Sequence, residues 1–481
     1  MVDDRGRIKL LETDKEDNCK PMPKYPLFVC MLFVFGASPS FGATRVVNVL
    51  GDTVASGCTL QCNLRQAITV AQSGDTIIFD PNVFRLSETI ALNHGEIVVN
   101  KSLTISGPGA DRLTIARSSS SFFRIFRFTA AVTMTGLTIS SGWAMNDAVN
   151  GCGGAIYNSS ILTLDHVEIR GNTAVSGGGL CNAGTSVITN STVSENASTV
   201  PNFRGEGGGI NNLGTLTITN STIAFNIALQ TGQFGSQGGG IFQEGSFTTT
   251  LRNVTIAYNS AQNDGGGLCC TGTFNIGNSI LANNTSTSGP DFFGTVNSLG
   301  YNLIKNYAGT ILGDSTGNIL GTDPMLVPNG LNRNGSDVRT IAMLPTSLAI
   351  DAGNSGSVGI ATDQRGRPRP YDDPNSPNPV GSDGSDLGAF EVQPTASRIS
   401  GRLITATGSP LNSGILTLTN SVSGQIRIAT VNSFGFFSFT NIPTGQQYQL
   451  LVRHKRYSFV PLGMSVQSEF DDVNLTATPW P

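Results

Sequence analysis

Charge is scarce in this chain of 481 residues: Asp, Glu, Lys and Arg make up 13%, about half the share of an average soluble domain. Amphipathic helices need Glu and Lys to clothe their outer faces, so an ordinary helical enzyme is excluded. The net charge of −4 comes with no basic stripe, which excludes a nucleic-acid partner. Histidine is nearly absent, and His94, His166 and His454 stand at no ligand spacing from any Cys. No metal site and no cofactor are expected. Beyond residue 42 there is no apolar run of about 20 residues, so the mature chain is expected to have no membrane span.

Glycine is present in excess, at 58 residues, and the hydrophobic share of 38% still fills a core. A compact, β-rich, turn-dense protein is implied. The apolar run LFVCMLFVFGA at 27–37 is too short to span a bilayer and precedes small residues at Ser40 and Gly42. It reads as a secretory signal over 1–42 with cleavage after Gly42. Translation starting at Met22 would place MPKYP directly before that run, so Met22 reads as the initiator. Secretion or cell-surface display is therefore expected, as a monomer. Export permits disulfides, and among the six remaining cysteines Cys58 and Cys62, four apart, are the expected pair.

Between about 134 and 284 the chain repeats itself. The clearest copy, GGGINNLGTLTITNSTIAFN, runs from Gly207 to Asn226. Aligned copies place Ile156, Leu180, Ile210, Ile241 and Leu268 in one column, with spacings of 24, 30, 31 and 27 residues. Ile139, Ile169, Val193, Ile223, Ile256 and Leu281 form a second column, and Leu164, Ile188, Ile218, Leu251 and Ile276 a third. Three short strands per repeat, each burying one aliphatic column, describe a three-sided solenoid. The fold class is all-β: a right-handed parallel β-helix followed by a small β-sandwich. Two amide columns, Asn158/Asn182/Asn212/Gln243 and Asn172/Asn196/Asn226/Asn259/Asn284, are expected to hydrogen-bond along the stack. His166 shares a column with Asn190, Asn220, Asn253 and Asn278 and reads as a hydrogen-bonding turn residue. The predicted boundaries are an N-terminal strand and helix cap over 43–80, the β-helix over 81–392 and the sandwich over 398–481.

The segment Cys62-Asn63-Leu64-Arg65-Gln66-Ala67-Ile68 resembles the CSLREA motif that precedes parallel β-helices, with Asn for Ser and Gln for Glu. TDPMLVPNG (322–330), LPTSLAIDAG (344–353), TDQRGRPRP (362–370) and SDLGAFE (385–391) resemble the choice-of-anchor Q domain, with Leu348 where that family favours Pro. The resemblance implies a pectin-lyase-like β-helix on an exported bacterial protein, and no particular activity. Asp351, Asp363, Arg365, Arg369, Asp386 and Glu391 belong to these motifs and are expected to tie down an irregular terminal cap. In the tail, Gly435, Phe437, Phe439, Ile442, Pro443, Gly445 and Tyr448 match the GxFxFxxIPxGxY pattern of carboxypeptidase-regulatory-like, transthyretin-type domains. Such domains imply a non-catalytic spacer or adhesion unit.

The repeats differ mainly between the closing Asn and the next Gly triplet, and insertions at one position of a solenoid emerge at one corner. Those loops carry Trp143, Phe203, Arg204, Gln230, Phe234 and Gln237, aromatic faces flanked by amides and an Arg, which suit an extracellular glycan or cell-surface component. Just before each triplet stand Cys152, Ser176, Glu206, Gln237 and Asp264. Glu206 and Asp264, two turns and about 10 Å apart, are the catalytic candidates for a polysaccharide hydrolase. Arg170 is the basic candidate, and calcium is expected only if the protein is a lyase.

Overall fold

The computed structural model describes residues 42–479 except 55–56, 59, 146–150, 200–204, 230–234, 357–358, 374–375, 394–395, 422–423, 444–445 and 467–469. The expected signal segment, apart from Gly42, lies outside the described residues. Among the described residues no helix is long and apolar enough to cross a membrane.

Twenty-four strands form one winding sheet whose pairings are all parallel. All three aliphatic columns stand in register. Ile156, Leu180, Ile210, Ile241 and Leu268 are successive partners, as are Leu164, Ile188, Ile218, Leu251 and Ile276. These side chains are almost completely buried in one core that runs the length of the coil. One turn cannot bury such a column alone, so each is stable only through the turns above and below.

The strands differ from the expected three-column scheme in one respect. The second and third columns share a long strand, such as Thr215–Ala224, while the third strand of each turn is only two residues, such as Ile227–Ala228. The long strand bends where its Asn column enters the left-handed region: φ is 52° at His166, 47° at Asn190, 46° at Asn220, 51° at Asn253 and 55° at Asn278. Asn tolerates that conformation better than most residues, which explains the column. At the Gly-rich corner, Gly207 has φ 65°, and a Cβ on Gly208 would meet Gly239 O at 2.5 Å. The tight corner therefore needs a backbone without side chains.

At the N-terminal end, Thr44–Val47 pairs with Thr76–Phe79, and helix Leu64–Val70 adds Leu64, Ala67 and Ile68 to the core. Asn63 and Gln66 cap the helix with their amides. Asn63 Oδ1 accepts from the Gln66 N–H, and Gln66 Oε1 accepts from the Asn63 N–H, a complete capping box. Cys58 and Cys62 are bridged just before it, with Cα atoms 4.6 Å apart. Cys152 is bridged to Cys181 across one turn and Cys269 to Cys270.

The segment from Leu326 to Val392 corrects the expectation of a terminal cap: it runs back along one flank of the coil. Asp337 Oδ2 accepts from Ala110 N at 3.3 Å, Gln364 Nε2 donates to Thr192 Oγ1 at 2.9 Å, and Gly388 N donates to Asn278 O at 2.8 Å. Its Leu326, Ile341, Ile350 and Leu387 bury a second core against the small outward residues Ala224, Ala257 and Ala282. We call it the strap. The C-terminal part holds two four-stranded sheets around a third core that includes Phe437, Phe439, Ile442 and Tyr448.

Candidate functional site

The variable loops leave the coil from a ladder of two-residue strands, Trp143–Ala144, Thr173–Ala174, Ala197–Ser198, Ile227–Ala228 and Ser260–Ala261. They return through a stack of single bridges, Cys152–Ser176–Glu206–Gln237–Asp264–Ser288. Both edges are in register, so insertions of different length share one corner. Phe203, Arg204, Gln230 and Phe234 lie outside the described residues.

Trp143 is half-buried. Its ring packs on Phe122 with centroids 4.8 Å apart, and the Arg117 guanidinium stands 6.0 Å from each ring. Phe122 is 55% exposed. Arg117 is fixed by donating to the carbonyls of Ser141 (2.9 Å), Ser121 (3.1 Å) and Ser119. Phe122 and Arg117 carried no repeat signal, since both precede the aligned copies. Among the described residues the Trp143 indole N–H has no partner although it is buried.

The carboxylate pair is arranged differently from an acid/base site. Gln237 stands between Glu206 and Asp264, and its Nε2 donates to Asp264 Oδ2 at 2.7 Å. An amide therefore occupies part of the space that an inverting pair keeps for its water. The structure turns Arg170 to the buried Glu168, at 3.7 Å, and not to this corner; the same carboxylate also lies 3.4 Å from Arg339. Among the described residues no group of three or more His, Cys, Asp or Glu is arranged to hold a metal ion.

His166 lies 3.1 Å from Asp165, which holds the Asp165 carboxyl down at about 2 and raises the imidazole. The closing amides form one directed chain. Asn172 Nδ2 donates to Asn196 Oδ1 (2.9 Å), Asn196 to Asn226 (3.0 Å), Asn226 to Asn259 (2.9 Å), Asn259 to Asn284 (2.9 Å) and Asn284 to Asp291 (2.9 Å). The last acceptor is a carboxylate because its second oxygen also accepts, from Asn306 N at 2.5 Å. Burial pushes Asp291 up to about 6 despite these bonds. A carboxyl raised on folding contributes stability that is complete below its unfolded value and fades as pH rises through about 6. The wild type is thus expected to exceed Asp291→Asn in urea midpoint by most near pH 4, with the gap shrinking toward pH 7. A gap that widens with pH would contradict this assignment.

Under the strap, Arg369 Nε is 3.0 Å from Glu391 Oε2, and both side chains are wholly buried. Asp386 accepts from the N–H groups of Asp351 (2.8 Å) and Val392. Burial and the neighbouring Glu391 charge keep Asp386 well above the usual carboxylate range, and burial raises Glu391 as well. Arg365 pairs with Asp363 at 2.6 Å and stands 3.6 Å over the Phe390 ring. These groups bond one another and the strap's own backbone, an arrangement that ties the strap's turns together.

The strand pairing and the looped corner define a parallel β-helix protein with a lateral loop face. No protein-family model matches the chain, and no curated protein is similar to it. Among solved structures, pectate lyase Pel9A is similar at a TM-score of 0.42 and 14% identity, over 74% of this chain and 97% of that one. ORF18 of Geobacillus virus E2 is similar at a TM-score of 0.29 and 14% identity, over 87% and 79% of the two chains.

Proposed function

We propose that this is an exported or cell-surface protein with a non-catalytic role in interaction or adhesion, and that its loop corner binds glycan. The observation that carries the reading is the Phe122–Trp143–Arg117 stack, which combines the exposed Phe122 face with a second ring and a fixed cation. Sugar rings stack on such faces. The disulfides fit an oxidising compartment, in keeping with the signal segment, and the sandwich fits a carboxypeptidase-regulatory-like spacer.

Affinity electrophoresis against acidic and neutral polysaccharides, with and without calcium, tests this. A retained polysaccharide is expected, with Trp143→Ala weakening it by about 1 kcal/mol, roughly fivefold. The second reading is a polysaccharide hydrolase or lyase, whose carboxylates would be Glu206 and Asp264 although Gln237 stands between them. New reducing ends or unsaturated uronate, abolished by Glu206→Gln or Asp264→Asn, would establish it in place of the first. A structural spacer follows if nothing is retained and Trp143→Ala changes nothing.

A further inference from the structure

The outward face of the coil, beside the strap and away from the loop corner, carries a two-dimensional array of threonines. Thr185, Thr215, Thr248 and Thr273 are successive partners in one column, and Thr217 pairs with Thr250 in the next. Neighbouring strands in a sheet lie about 4.8 Å apart and alternate residues along a strand about 6.7 Å apart, so hydroxyls and methyls repeat in two directions over the rungs Thr215/Thr217 and Thr248/Thr250, and in one direction beyond them. Thr104, Thr133 and Thr163 continue the second column toward the N-terminus.

Three properties distinguish this array from an ordinary β-surface. It is held rigid from inside, because the inner amide ladder donates to the array's own carbonyls: Asn158 to Thr185 O (3.3 Å), Asn182 to Thr215 O (2.9 Å) and Gln243 to Thr273 O (3.4 Å). Its hydroxyls are available, since the six array threonines from 185 to 273 donate no side-chain hydrogen bond within the described residues, and Thr185, Thr215 and Thr273 are exposed. It is also neutral. From residue 185 to 275 these two columns hold Thr, Val187 and Asn275 with no charge and no aromatic ring, and charge appears only in the third column, at Asp165 and Arg252.

We propose that this threonine face binds ice. A rigid lattice periodic in two directions complements a partner that is itself a lattice. A soluble chain would use one row and gain nothing from the others. The face lacks the aromatic platforms on which sugars stack and the charge that would attract an ion or a charged polymer. Neutral hydroxyls, each both donor and acceptor, alternating with methyl groups complement a solid made of neutral donors and acceptors. The inference is independent of glycan binding at the loop corner.

The test is partition of the purified full-length protein into slowly growing ice, together with the thermal hysteresis it produces. The wild type is expected to enter the ice and shape its crystals. Thr217→Tyr/Thr250→Tyr should be left in the liquid with an unchanged melting curve, and Thr215→Lys, at an exposed position of the first column, serves as the second variant. Trp143→Ala should partition like the wild type. A wild type left in the liquid, or folded variants that partition equally well, overturns the proposal. Exclusion from ice combined with pelleting on crystalline cellulose or chitin, lost in Thr217→Tyr/Thr250→Tyr, would overturn it and assign the face to solid polysaccharide.

Discussion

Replacing Arg369 with Met is expected to destabilise the strap by about 3–5 kcal/mol, the cost of removing one partner from a buried ion pair. Arg369 meets Glu391 at 3.0 Å and donates through Nη1 to the carbonyls of Gly388 (3.0 Å) and Asp386 (3.2 Å), all out of contact with water. Without it, the Asp386 and Glu391 carboxyls remain buried side by side with no countercharge, and the carbonyls lose their donor. The coil core is separate from the strap core. Hydrogen exchange should therefore accelerate first at strap amides such as Gln364 and Gly388, while Ile218 and Ile223 stay protected. Arg369→Lys keeps the charge and loses the fork, so a smaller loss is expected. Unchanged strap exchange in Arg369→Met would show that the pair does not hold the strap.

Asn226→Ala is the second large effect. Asn226 sits at the centre of the directed amide chain and is fully buried. It accepts from both the backbone and side-chain N–H of Asn196 (3.1 and 3.0 Å) and donates to Val193 O and Asn259 Oδ1 (both 2.9 Å). Each buried group left without a partner costs about 1–3 kcal/mol, so a loss on the order of 4 kcal/mol is expected in urea unfolding. Asn297→Ala serves as the control. Asn297 also donates to a stacked amide, Asn275 Oδ1 at 2.8 Å, but lies on the solvent side, where water replaces the bond, and should cost under about 1 kcal/mol. Equal losses for the two variants would mean that burial of the amide chain contributes nothing.

Much of the coil is legible in the residues alone. The aliphatic columns, both amide ladders and the Gly corners are expressed in the repeat, because each residue's main partner is its own counterpart one turn away. Asn190, Asn220 and Asn253 are also legible as turn residues, although the left-handed bend inside a continuous strand is visible only in the backbone. The capping box is formed by Asn63 and Gln66, because an amide oxygen accepts from a backbone N–H at either position. The candidate site is less legible. Trp143 stands out as an aromatic in a loop, but its partners Phe122 and Arg117 belong to no repeat. The column places Gln237 between Glu206 and Asp264 from the sequence alone, but only the structure shows its amide bonded to the Asp264 carboxylate.

The sequence by itself determined the solenoid, since its order is one-dimensional: register follows from contacts 24 to 33 residues apart that recur with the repeat. Only the tertiary structure decided the course of the strap, whose bonds join residues such as Thr192 and Gln364, 172 apart, once each. A contact made once leaves no periodicity to read. The low charge has the same division. Repeated charges would stack on themselves and repel, so the columns exclude them. Where contacts do not repeat, charges are buried instead: Arg369, Glu391 and Asp386 inside the strap, and Glu168 of the coil against Arg339 of the strap.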